Sequence, residues 1–178
     1  CRYDRNLPSM TEIDIIGGIY REKVAFPFWD QLVGSAGRGA LALTTLVDKI
    51  RLHTAVSEVE KIIVETKYSS HGIELKLTQR TSPIEFDYLH CLAVPKIYRD
   101  RSVMMHTMPV VKCNVAVIYG MLEAEPIVHA NYAVYDPQSA FRPRLFSTTG
   151  SSASHLAVIA NRSEIVKMAN ANSLDDAV

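Results

Sequence analysis

At 178 residues, 48% hydrophobic and 21% charged, the chain has the length and composition of a single globular domain with a substantial core, which excludes disordered and collagen-like classes. Nineteen Lys and Arg balance nineteen Asp and Glu, so no net field draws the chain to a nucleic-acid polymer or an anionic membrane. Cys1, Cys91 and Cys113 have no CxxC spacing, which argues against a disulfide framework or a zinc site and fits a reducing cytoplasm; no stretch approaches the roughly 18 apolar residues of a membrane span, and no apolar signal core opens the chain.

Residues 1–10 are polar and aperiodic and end at Met10, so they read as a leader or remnant outside the fold. Residues 13–18 (IDIIGG) predict a buried first strand closed by a tight turn. Residues 22–29 alternate poorly and carry Pro27 between aromatics, which suits an edge strand or a partly exposed flap. Gly34-Ser35-Ala36-Gly37-Arg38-Gly39 then leads into an Ala/Leu-rich run suited to a buried helix. Glycines at a helix start let backbone N–H groups approach a ligand, and they equally serve close helix-to-sheet packing. The spacing is neither GxGxxG nor GxxxxGK[ST], so it carries no dinucleotide fingerprint and no P-loop.

Residues 50–56 predict a second strand, and residues 57–65 a helix capped by Ser57 with Val59, Ile62 and Ile63 as its apolar face. Strict alternation over residues 73–77 predicts a half-exposed strand; residues 84–94 begin by alternating and end apolar, which places Cys91 in the core. Residues 98–109 read as a loop or irregular helix, 114–119 as a buried strand, 122–130 as a short helix limited by Pro126, and 131–135 as another strand. Pro137, Pro143 and the serines at 151, 152 and 154 mark a crossover to residues 157–160, four small or apolar residues that predict a buried strand. Behind it Asn161-Arg162-Ser163-Glu164 opens a helix over 163–171. Asn-x-x-Glu has two readings: a capping box whose Glu reaches back to the helix start, or an amide and a carboxylate presented where open α/β sheets bind ligands. The six histidines show no metal-ligand spacing and no Gly-x-Ser-x-Gly elbow occurs.

The alternation of strands and helices implies an α/β fold, a mostly parallel sheet flanked by helices with a small β flap. Its strand ends at Gly17-Gly18, Ser57-Glu58, Asp136 and Asn161 are where ligands should collect. In order and spacing these landmarks resemble the ribokinase-like, or PfkB, carbohydrate and nucleoside kinases over residues 11–178. The matching stretches are Gly17 to Glu22, Gly34 to Leu46, Ala55-Val56-Ser57-Glu58, Asp136-Pro137 with Arg142 or Arg144, and Asn161-Arg162-Ser163-Glu164.

The resemblance implies transfer of the ATP γ-phosphoryl group, with Mg²⁺, to a hydroxyl of a sugar or nucleoside-like acceptor. Glu22, Gly34, Ser35 and Arg38 would then bind the acceptor, and Asn161 and Glu164 would organise metal, water and phosphates. The flap would act as a lid and as a homodimer surface. The chain departs from the family at Glu22 for an Asp, Val33 for a Gly, Arg38 for an Asn, and Ser57-Glu58 for Gly-Asp. An Arg fork at position 38 suits carboxylate or phosphate better than a neutral hydroxyl.

The family's Gly-rich anion hole and catalytic Asp follow Asn-x-x-Glu by many tens of residues, and no such motif occurs up to Val178. The expectation is therefore an incomplete fold, the N-terminal acceptor-binding portion of a kinase, with the catalytic Asp beyond Val178. A catalytically inactive kinase-like module that binds a ligand or protein is the alternative; a dinucleotide-dependent oxidoreductase lacks its fingerprint.

Overall fold

The computed structural model describes residues 11–99, 105–139 and 142–176, so residues 1–10, read above as a leader, lie outside the described residues. The elements run β1 (Glu12–Ile16), β2 (Arg21–Phe26), β3 (Trp29–Leu32), α1 (Gly34–Leu43), β4 (Lys49–Val56), α2 (Glu58–Ser69), β5 (Glu74–Gln79), β6 (Glu85–His90), β7 (Lys96–Tyr98), β8 (Val111–Tyr119), β9 (Val128–Asp136), β10 (Ser152–Val158) and α3 (Arg162–Met168), with a 3₁₀ turn at Phe146–Thr149. Six strands form one sheet in the order β10-β9-β8-β1-β4-β5, and every pairing in it is parallel. The other four form a mixed sheet, β3-β2-β6-β7. This second sheet is the flap, and the chain passes into it directly from the ends of β1 and β5.

Alternation along β1 and β4 sends Ile13, Ile15, Ile50 and Leu52 to one face, where Ala36 and Ala40 of α1 and Val64 and Tyr68 of α2 cover them. Ile16, Ile118, Ala133 and Tyr135 pack with Phe146 of the 3₁₀ turn in a second cluster. The apolar run of β1 hides a charge. Asp14 is buried and accepts from Arg51 at 2.9 and 3.0 Å, with the His53 ring 2.7 Å away. The neighbouring strand β4 thus satisfies a carboxylate that would otherwise forbid this burial.

Several expectations need correction. The apolar face read for α2 points outward: Val59, Ile62 and Ile63 are exposed, and the buried stripe is Glu60, Val64 and Tyr68. The Ala/Leu-rich helix α1 buries only one face, through Gly34, Ala36, Gly37 and Ala40. Residues 122–130 form no helix; β9 begins at Val128, because Pro126 leaves too few residues for a helix before the strand. β10 starts at Ser152, inside the stretch read as crossover, and its residues 157–158 are exposed because it is the sheet's edge strand. Cys91 is exposed in the turn after β6, not in the core. Among the described residues no helix is long and apolar enough to cross a membrane.

Candidate functional site

The large sheet grows from β1 in two directions, through β4 to β5 and through β8 to β10. Parallel β1 and β8 therefore form a topological switch point, outside whose carboxyl ends connections diverge and leave a crevice. Gly17 closes β1, and a Cβ there would lie 2.9 Å from both the Ala36 and Tyr119 Cβ atoms, so the ends of β1 and β8 and the start of α1 meet at this point. Gly34 begins α1 at φ +59°, a left-handed conformation, and any side chain would run into the Gly18 carbonyl. The Val33 N–H donates to the Tyr20 carbonyl at 2.9 Å, which pins the helix start against the link from β1 into the flap. No side chain caps α1 and its first turn holds no acidic residue, so the positive end of its dipole faces the crevice uncompensated.

Across this helix start, β2 of the flap carries Glu22, only 5% exposed. Arg38 of α1 donates through Nη1 to Glu22 Oε2 at 2.5 Å. No described residue donates to Glu22 Oε1, and no described residue accepts from Arg38 Nε or Nη2. The structure thus brings together four of the expected residues, Glu22 on the flap and Gly34, half-buried Ser35 and Arg38 on α1. Three phenols feel the Arg38 charge. Burial raises the pKa of Tyr68, Tyr88 and Tyr119, and the Arg38 charge opposes that rise at each. The Tyr68 hydroxyl occupies the space a Gly37 side chain would take, and the Tyr119 hydroxyl lies over Gly39.

Tyr119 also borders a cavity of about 100 Å³ at the ends of β8 and β9, lined by Gly120, Ser139, Arg142 and Arg144 among others. Arg144 is committed to Glu125 and the Thr148 carbonyl. No described residue accepts from the Arg142 side chain.

Asn161 and Glu164 stand at the end of β10, three strands along from β1, roughly 14 Å at the usual interstrand spacing. They do form the capping box: Asn161 Oδ1 accepts from the Glu164 N–H at 3.0 Å, and Glu164 Oε2 accepts from the Asn161 N–H at 2.9 Å. Glu164 is buried, and its Oε1 accepts from the Ser139 N–H at 2.8 Å. It thereby ties α3 to the Asp136–Ser139 turn that leads to Arg142. Burial, followed by the Glu164 charge, pushes the Asp136 carboxyl up, against two hydrogen bonds from Gln138 that pull it down.

Sequence reasoning missed a buried charge cluster beside the crevice. Arg80, whose side chain is sealed from solvent, donates to both oxygens of Glu60 at 2.7 Å and to Glu123 at 3.1 Å. The Tyr20 hydroxyl donates to Glu123 at 2.7 Å, and the Ser57 N–H and hydroxyl donate to Glu60. The Ser-x-x-Glu spacing of Ser57 and Glu60 was a legible signal; Arg80 and Glu123 had none.

No family model matches the sequence, and no curated protein matches it. Among solved structures, a pyrophosphate-dependent kinase in the ribokinase family, complexed with a pyrophosphate analogue and myo-inositol, superposes on 93% of this chain and 66% of its own at 11% identity and a TM-score of 0.57. The chain has the ribokinase-like fold. A sulfate complex of a pyrophosphate-dependent kinase in the ribokinase family matches 93% of the chain and 67% of its own at 11% identity and a TM-score of 0.51. Aminoimidazole riboside kinase from Salmonella enterica matches 94% and 65% at 10% identity and a TM-score of 0.53. The chain thus spans about two thirds of the length of these ribokinase-like neighbours.

Proposed function

We propose that this chain supplies the acceptor-binding part of a small-molecule kinase that passes the γ-phosphoryl group of ATP to a hydroxyl of a sugar or nucleoside-like acceptor. The observation that carries it is Glu22: a nearly buried carboxylate at the switch-point crevice, with one oxygen held by Arg38 and the other free of described donors. Such an oxygen takes a hydroxyl hydrogen bond and fixes which hydroxyl faces the donor, and positioning of this kind supplies much of the rate in phosphoryl transfer. Ser35 and the first N–H groups of α1 take the acceptor's remaining oxygens.

In the transfer the acceptor oxygen forms a bond to phosphorus, the bond to the β-phosphate oxygen breaks, and the hydroxyl proton leaves to a base. On the family's pattern that base is the Asp of a Gly-rich motif. Arg142, lining the small cavity on the far side of Tyr119, meets the negative charge of the donor.

Mg²⁺ would neutralise the phosphates. Both Glu164 oxygens already accept backbone N–H groups, and the described residues contain no cluster of three or more metal-ligating side chains. The site therefore fits a hydrated ion carried by the donor's phosphates, its waters ordered by Asn161 and Glu164, and not an all-protein cage.

The free Cys91 and Cys113 thiols support a cytoplasmic setting. Exposed Phe26, Phe28, Leu89, Leu92 and Val94 in and around the flap support a homodimer through it.

The test is a product assay on the full-length protein, with polyols, pentoses and nucleosides as acceptors and ATP as donor; pyrophosphate is run alongside because two neighbours use it. Glu22→Gln is expected to cut kcat/KM at least about tenfold in a variant that still folds by circular dichroism, since one charged hydrogen bond to a ligand is worth about 1.5–3 kcal/mol. Ligand binding without transfer from either donor would instead identify the inactive binding module.

A further inference from the structure

We propose that the acceptor is a polyol that carries an anionic group, phosphate or carboxylate, and that the Nε–Nη2 edge of Arg38 selects it. The proposal rests on the acceptor-site reading above and narrows it to a chemical class.

Glu22 uses Oε2 on Arg38 Nη1, which anchors one corner of the guanidinium while Nε and Nη2, the edge that forks onto an oxyanion, stay without a described acceptor. The Arg38 side chain is 48% exposed while that of Glu22 is 6% exposed, so the cation presents itself to an incoming ligand and the carboxylate stays recessed. A neutral sugar gives such a fork two hydroxyl dipoles; an oxyanion gives it two charged acceptors in one plane. The recessed Oε1 remains for a hydroxyl of the same molecule, so the site reads a hydroxyl and an anion together.

Glu22 does not defeat this arrangement. The guanidinium lies between the two negative groups, and its pairing with Glu22 restrains the fork before the ligand arrives, which lowers the ordering cost of binding. Tyr119, half-buried and with its hydroxyl over Gly39, stands beside the same helix start.

The experiment is titration calorimetry on the full-length protein with D-glucose, D-gluconate and D-glucose 6-phosphate, repeated with Arg38→Gln and Arg38→Lys. One charge-assisted bidentate contact predicts that at least one anionic ligand binds about 10-fold or more tighter than glucose. Gluconate and the phosphate then identify which anion the fork prefers. Arg38→Gln is expected to erase that difference, and Arg38→Lys, a point charge without the fork, to restore only part of it. Equal affinity of the unaltered protein for all three ligands overturns the proposal and leaves the kinase reading standing, and this arm needs no variant to fold. No binding of any of the three, joined with no transfer to any acceptor in the product assay, overturns the acceptor-site reading beneath it.

Discussion

Asp136 shows how a single residue reports on the site around it. Its carboxyl is pushed up by burial and then by Glu164, so the fold disfavours the charged form. For an acid whose folded pKa is raised, the native state binds the proton more readily than the unfolded chain, and stability falls as pH climbs from the ordinary carboxylate value, about 3.9, through the raised one. Asp136→Asn removes the charge and keeps the shape. It is expected to melt higher than the unaltered protein at pH 7, with the difference shrinking toward pH 4; thermal melts at several pH values check it, and a difference that grows on acidification would refute the sign. Asn161 and Glu164 show the converse, residues whose local role was legible. A capping box closes within three positions, so spacing alone predicts it, and the observed bonds match. The third bond of Glu164, to Ser139, joins segments 25 residues apart and left no trace in local spacing.

At the scale of elements, the charge cluster ties together the two links that carry the chain into the flap. Tyr20 lies on the link from β1 to β2 and Arg80 on the link from β5 to β6, and both reach Glu123 between β8 and β9. Arg80 also holds Glu60, so α2 turns a carboxylate inward where a helix usually places an aliphatic side chain. That arrangement explains why Val59, Ile62 and Ile63 face out: the inward stripe is set by an ion pair with β5's end, not by the densest apolar pattern. Arg80→Met leaves two buried carboxylates without their cation and is expected to cost about 3–5 kcal/mol. Urea unfolding checks it; a loss below about 1 kcal/mol would show that Glu60 and Glu123 find other partners.

For the whole molecule, the apolar tip of the flap stays uncovered by any described residue. Phe26 and Phe28 are 77% and 81% exposed, and Leu92 and Val94, between β6 and β7 of the same flap, are exposed as well. A homodimer through this surface predicts that Phe26→Ser with Phe28→Ser converts a dimer to a monomer by light scattering without unfolding it; an unaltered protein that is already monomeric at micromolar concentration would dismiss the interface. Local sequence was enough for the alternation of strands and helices, the helix starts at Gly34 and Ser57, and the cap at Asn161. Each of these depends on hydrogen bonds or backbone angles closed within a few residues. Which apolar residues are buried was settled only by the folded arrangement, since residues 157–158 lie on an edge strand and the apolar side of α2 faces away from the sheet. That arrangement alone also paired Glu22 with Arg38 across 16 residues and Arg80 with Glu123 across 43, because such contacts are fixed by strand order and by the path of the chain into the flap, neither of which leaves a local period to read.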